Sequence, residues 1–228
     1  MKKRNKKEKE ETKELSHEEV IKKENKGLRN ILIGIIGIIA AIFLFMFLLN
    51  YFSSFSYHGV KFDIVKFCDS GPPCLVTYRT SLPVRPNGGS YVVVKPADKT
   101  NDYNFYLRND PRKLNVGFNG TISIKSNVVF NSQDNFTCNG NGIVAGQNFV
   151  QLYQLLGSKV IRDENATCDT LGRYMYVRVQ SGNQTSIEQF GSACYNINIK
   201  DCEILNGMEK FMIDTFVKVN DILNNKTA

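Results

Sequence analysis

Histidine is almost absent from this chain: two residues, His17 and His58, in 228. A catalytic triad, a histidine zinc site or a histidine general base would have to rest on His58 alone, because His17 lies in a charged N-terminal tail. We expect His58 to be a linker residue. Closely spaced cysteine pairs are also missing. No C-x-x-C occurs, and the six cysteines are separated by 6, 64, 30, 26 and 8 positions, unlike a structural zinc module. Neither G-x-x-x-x-G-K-[ST] nor G-x-G-x-x-G is present, so no phosphate-cradling loop is indicated. Nothing in these patterns calls for a metal or a cofactor.

The charge is unevenly placed. Residues 1–30 hold 11 Lys or Arg and 7 Glu, a net of +4, which leaves +3 of the total +7 for the other residues. The high pI therefore belongs mainly to the tail and does not argue for a nucleic-acid-binding face.

Ile31–Leu49 reads ILIGIIGIIAAIFLFMFLL, an apolar run without a charge. As a helix it rises about 28 Å, close to the hydrocarbon thickness of a bilayer. The run is longer than the core of a cleaved signal peptide, and Asn50-Tyr51-Phe52 follows it with no A-x-A pattern, so an uncleaved signal anchor is expected. Lys22, Lys23, Lys26 and Arg29 crowd its N-terminal flank, which places the N-terminus inside and the rest of the chain outside. The expected divisions are a disordered basic tail (1–29), a single transmembrane helix (30–52) and an external domain (53–228). Gly34, Gly37 and Ala41 put small residues on one helix face, a pattern that suits homo-oligomer formation in the bilayer.

All six cysteines, Cys68, Cys74, Cys138, Cys168, Cys194 and Cys202, follow the apolar run. An even number outside the cell predicts three disulfides. Cys68 and Cys74 flank a Gly-Pro-Pro turn and are the expected local pair. For the others, a bridge between Cys194 and Cys202 and cross-links from Cys138 or Cys168 stay open. All five N-x-S/T sequons, at Asn119, Asn135, Asn165, Asn183 and Asn225, lie on the same side, as a glycoprotein would require.

The external part is expected to be α+β. Short β-prone runs punctuated by Gly, Pro and Asn mark a strand-rich first half: Lys61–Phe67, Leu75–Thr80, Tyr91–Lys95, Phe105–Leu107 and Thr121–Lys125. The second half reads as helix, sheet, helix. Ala145, Phe149, Leu152 and Leu156 form a helical stripe with Asn141 as its expected cap and Gly157 after its end. Strands are expected at Lys159–Arg162, Tyr174–Gln180 and Tyr195–Ile199. A last helix, buried through Leu205, Met208, Met212, Phe216 and Val219, is expected to start after a capping Asp201.

Tyr106–Lys113, YLRNDPRK, packs three cations, a carboxylate and an Asn between apolar stretches. The candidate binding residues are Arg108, Asn109, Asp110, Arg112 and Lys113. In one reading Arg108 and Arg112 grip a carboxylate or phosphate bidentately. In the other, which we favour for Asp110, the carboxylate pairs with an Arg and fixes the turn at Pro111. Composition permits one enzyme class, a surface hydrolase using two carboxylates, with Asp163, Glu164, Asp169, Glu188 and Glu203 as scattered candidates. No pairing among them is visible, and a non-enzymatic module that binds a protein or other envelope component is the leading expectation.

The ordered set YLRNDPRK, the helix after Cys138 and ACYNINIKDCEILNGMEKF resembles a family of small single-pass membrane proteins from small-genome archaea, over most of residues 56–219. The resemblance implies an archaeal cell envelope. It brings no assigned activity and no catalytic residues. Against that family Cys68 and Cys74 look like a local addition.

Overall fold

The computed structural model describes residues 17–68, 71–132 and 136–224. It divides into two compact units, Met1–Phe52 and Ser53–Ala228.

In the first unit a single helix, α1, spans His17–Phe52. Residues 17–29, expected to be disordered, are thus helical. The apolar run gives the helix a nucleus from which it propagates backwards. Residues 1–16 lie outside the described part. Leu28–Leu48 has a mean hydropathy of 3.1 and is long and apolar enough to cross a membrane.

The second unit is α+β, with a strand-rich first half and a helix-sheet-helix second half. Its first sheet is antiparallel: β1 (Ser54–Tyr57), β2 (Val60–Phe67), β3 (Leu75–Asn87), β4 (Ser90–Val93) and β5 (Asn101–Leu107). His58 is no linker. With Gly59 it forms the two-residue turn of the β1–β2 hairpin, both at positive φ (47° and 83°), the conformation that matches strand twist. Strand β3 runs well past the expected Thr80 despite Pro83 and Pro86. Pro83 accepts from Val94 through its carbonyl at the very end of β4, where a ladder N–H is dispensable.

The second sheet has six strands, ordered β6-β10-β11-β9-β7-β8. They are β6 (Gly117–Asn119), β7 (Asn127–Ser132), β8 (Lys159–Arg162), β9 (Met175–Ser181), β10 (Ser186–Gly191) and β11 (Cys194–Ile199). Helix α2 (Asn141–Leu155) is the crossover between the parallel neighbours β7 and β8. Helix α3 (Ile204–Leu223) closes the fold.

Thr121–Lys125 is not a strand. Side chains occupy its backbone: Gln189 Oε1 accepts from Thr121 N (2.8 Å), and the Tyr195 hydroxyl accepts from Ser123 N (2.8 Å) while donating to Thr121 O (2.7 Å). These satisfy the polar groups that a neighbouring strand would otherwise have to meet. Neither expected helix cap is made. Asn141 is the first residue of α2, and Asp201 (φ 49°) stands clear of α3, whose N-terminal boundary residue is Glu203.

Both helices feed two cores. Phe149 and Tyr153 of α2 and Met208 and Phe211 of α3 pack with Val177, Tyr195 and Ile197 of the second sheet. Leu152, Leu155, Met212 and Phe216 pack with Phe62, Leu82, Phe105 and Leu107 of the first. The helix pair is thus the layer shared by two sheets, and α3 is apolar over far more than one stripe. Ile204, Phe211 and Ile213 join the expected stripe, whereas Leu205 is only half-buried.

Three disulfides complete the unit: Cys68–Cys74, Cys138–Cys202 and Cys168–Cys194. The first clasps the β2–β3 connection. The second joins the segments that lead into α2 and α3, and the third ties the loop before β9 to the start of β11.

Candidate functional site

The Arg108–Lys113 turn begins where β5 ends. Its anchor is Glu209, a carboxylate on the second turn of α3 that is only 1% exposed. Glu209 Oε1 accepts from Arg108 N (2.7 Å). Oε2 accepts from Asn109 N (2.9 Å) and from Asn109 Nδ2 (2.8 Å). Burial raises the Glu209 pKa above the usual carboxyl value, and these three donors oppose the rise. The edge of the first sheet is thereby fastened to the helix layer by one side chain.

A second carboxylate shapes the turn from within. Asp110, 8% exposed, accepts from Arg112 N (3.0 Å) and Nε (2.9 Å) through Oδ1, and from Nη2 (2.7 Å) through Oδ2. Asp110 O accepts from Lys113 N (2.9 Å), closing the turn over a buried Pro111. The Arg112 guanidinium lies 3.8 Å from the Phe55 ring centroid. The fork of donors from Arg112 holds the Asp110 carboxyl below its ordinary value. Burial and the neighbouring Asp110 charge push the Tyr78 phenol up.

Five residues were nominated here from sequence, and the structure sorts them. Asn109, Asp110 and Arg112 are committed to the turn itself. Arg108 and Lys113 are exposed, and among the described residues neither side chain makes a hydrogen bond or an ion pair. Asp110 pairs with Arg112 inside the turn, and Arg108 and Lys113 face outward from it.

Beside the turn lies a cavity of about 460 Å³. Asn109, Asp110 and Lys113 line it from the turn, Thr185 from the loop after β9, and Lys200 and Glu203 from the approach to α3. The Thr185 hydroxyl donates to Glu203 Oε2 and accepts from Lys200 N (3.2 Å). A groove of about 1000 Å³ runs along α2, with Phe130, Phe136, Ile143 and Val160 among its walls. Glu164 lines it and pairs with Arg162 at 3.1 Å.

The scattered carboxylates are mostly engaged locally. Asp169 accepts from Leu171 N, Arg173 N and the Arg173 guanidinium, and that guanidinium holds its pKa down. Asp163 Oδ1 accepts from Asn165 N (2.9 Å), and Glu188 is exposed on β10. Asp110 and Glu203 both line the cavity beside the turn, but Asp110, occupied by Arg112 and with its pKa held down, is unsuited to donate a proton as a general acid.

Sequence inspection missed Glu209, Lys200, Thr185 and Asn206. Glu209 did carry a signal: it falls four residues after Leu205 and four before Ile213, inside the apolar face of α3. Among the sequons, Asn119, Asn165 and Asn183 are exposed, and Asn135 and Asn225 lie outside the described residues. No protein-family model, curated protein or solved structure matches the chain.

Proposed function

We propose that this protein is a non-enzymatic binding module of the cell envelope, held by α1 as a single-pass signal anchor with the N-terminus inside. Lys22, Lys23, Lys26 and Arg29 on one flank of the apolar run, and three disulfides and the sequons on the other, support that orientation. The archaeal envelope implied by the resemblance and glycosylation at the exposed sequons belong to the same proposal.

The observation that carries the binding reading is the division of labour in the Arg108–Lys113 turn. Glu209 and Asp110 are spent on rigidity, and among the described residues the exposed side chains of Arg108 and Lys113 make no hydrogen bond or ion pair. Such an arrangement presents charge with little ordering cost on association. The test is a pull-down of the anchored protein from native membranes. Arg108→Ala should keep the melting temperature and lose a partner, and Arg108→Lys should fail too, because Lys cannot reproduce the guanidinium fork. An unchanged partner set with Arg108→Ala refutes the reading.

The alternative is a surface hydrolase acting through two carboxylates, supported by the presence of Asp110 and Glu203 in the lining of one cavity. On this reading Glu203 is the acid and Asp110 the base or nucleophile. Hydrolysis of envelope polysaccharide that vanishes with Glu203→Gln would establish it.

A further inference from the structure

We propose that the cavity beside the Arg108–Lys113 turn binds a carboxylated sugar, with Lys113 and Lys200 on its carboxylate and the surrounding amides on its hydroxyls. This rests on the reading of the turn as a binding platform and names its ligand class.

The charges lining the cavity are unequal in availability. Asp110 is occupied by Arg112, and Glu203 accepts the Thr185 hydroxyl. Lys113 and Lys200 have no hydrogen bond or ion pair from their ammonium groups among the described residues, and both are exposed at the cavity. Arg112 balances the Asp110 charge, whereas the neutral Thr185 hydroxyl leaves the Glu203 charge in place; two ammonium groups against that one carboxylate leave a positive excess, and the space favours an anion. Its walls then narrow the anion's chemistry. Asn115, Gln184 and Asn206 are among the lining residues, and each carries a side-chain amide that is both a donor and an acceptor. An inorganic anion such as phosphate is mostly acceptor, with one or two O–H donors at neutral pH, and would leave most of the amide oxygens unmatched. Hydroxyl groups donate and accept at once, as those oxygens require. No aromatic side chain is among the described lining residues, so a nucleobase would find no ring to stack on. The volume of about 460 Å³ lies within the range of ~300–1,000 Å³ common for small-ligand sites.

The test uses the full chain in a neutral detergent and three probes: trigalacturonic acid, galactotriose and inorganic phosphate. Trigalacturonic acid is expected to bind at least about tenfold more tightly than either of the others. Lys113→Gln and Lys200→Gln should each weaken it by about tenfold while leaving the melting temperature unchanged, since neither ammonium holds the fold together. Asn206→Ala should weaken trigalacturonic acid and leave phosphate alone. Equal binding of galactotriose, equal binding of phosphate, no binding of trigalacturonic acid, or full affinity in both lysine variants overturns the proposal. Should it fail while Arg108→Ala still loses a partner from native membranes, the ligand class is wrong and the platform reading stands.

Discussion

Replacing Glu209 tests the central structural claim, that one buried carboxylate fastens the first sheet to α3. Glu209→Ala strands three donors: Arg108 N, Asn109 N and Asn109 Nδ2. A buried donor without a partner costs roughly 1–3 kcal/mol. Two terms reduce the sum. Asn109 is half-buried, so water can reach part of the gap, and removing a desolvated charge relieves the strain that raises its pKa. A net loss of about 3 kcal/mol follows. At ~2–4 °C per kcal/mol for a domain of this size, the melting temperature should fall by about 6–12 °C. Glu209→Gln keeps the volume and one acceptor but turns an NH₂ group toward an N–H, and should cost about 1–2 kcal/mol. Thermal melts of the full chain in detergent measure both. Hydrogen exchange supplies a local readout, because the amides of Arg108 and Asn109 should lose protection before the core of the second sheet. A Glu209→Ala protein melting within about 2 °C of wild type, or a Gln variant worse than Ala, refutes the reasoning.

Other expectations follow from the same contacts. Asp110→Ala should destabilise by about 1–3 kcal/mol, Arg112→Ala should destabilise too, and the double variant should lose clearly less than the sum, as a double-mutant cycle will show. Tyr195→Phe removes the hydroxyl that serves both Ser123 N and Thr121 O, and should cost about 1–2 kcal/mol in a denaturant titration. The pH dependence has two limbs. Asp110 and Asp169 have depressed folded pKa values, so their stabilisation is complete above the unfolded value of 3.8 and is lost as pH falls through the folded ones. Glu209 and Asp214 have values raised by burial, so their contributions are full below the unfolded values of 4.5 and 3.8 and lost as pH rises through the folded ones; Glu209→Gln should shrink that second limb in melts across pH and leave the share of Asp214. Alkylation under denaturing, non-reducing conditions should label no cysteine. Reduction should lower the melting temperature sharply, because Cys138–Cys202 alone closes a separation of 64 residues, worth about 4 kcal/mol of chain entropy.

The sequence by itself determined what depends on local pattern. The apolar run dictates a helix long enough for a bilayer, since length and hydropathy are properties of consecutive residues. The short β-prone runs between Gly, Pro and Asn, the stripes in α2 and α3 and the parity of the cysteines all point to an α+β fold with disulfides, as found. Tertiary structure decided what depends on residues far apart in the chain. Cys138 finds Cys202 because the segments leading into α2 and α3 meet, and Cys168 finds Cys194 because the loop before β9 meets the start of β11; spacing alone leaves those pairings degenerate. Thr121–Lys125 alternates like a strand, yet Gln189 and Tyr195 take its backbone groups. In the turn, Asp110 and Arg112 are two residues apart and their pairing is legible locally, whereas Glu209 reaches Arg108 from 101 positions away. A buried acid is stable only where the fold delivers donors to it, and the cavity beside the turn exists only because three distant segments meet there.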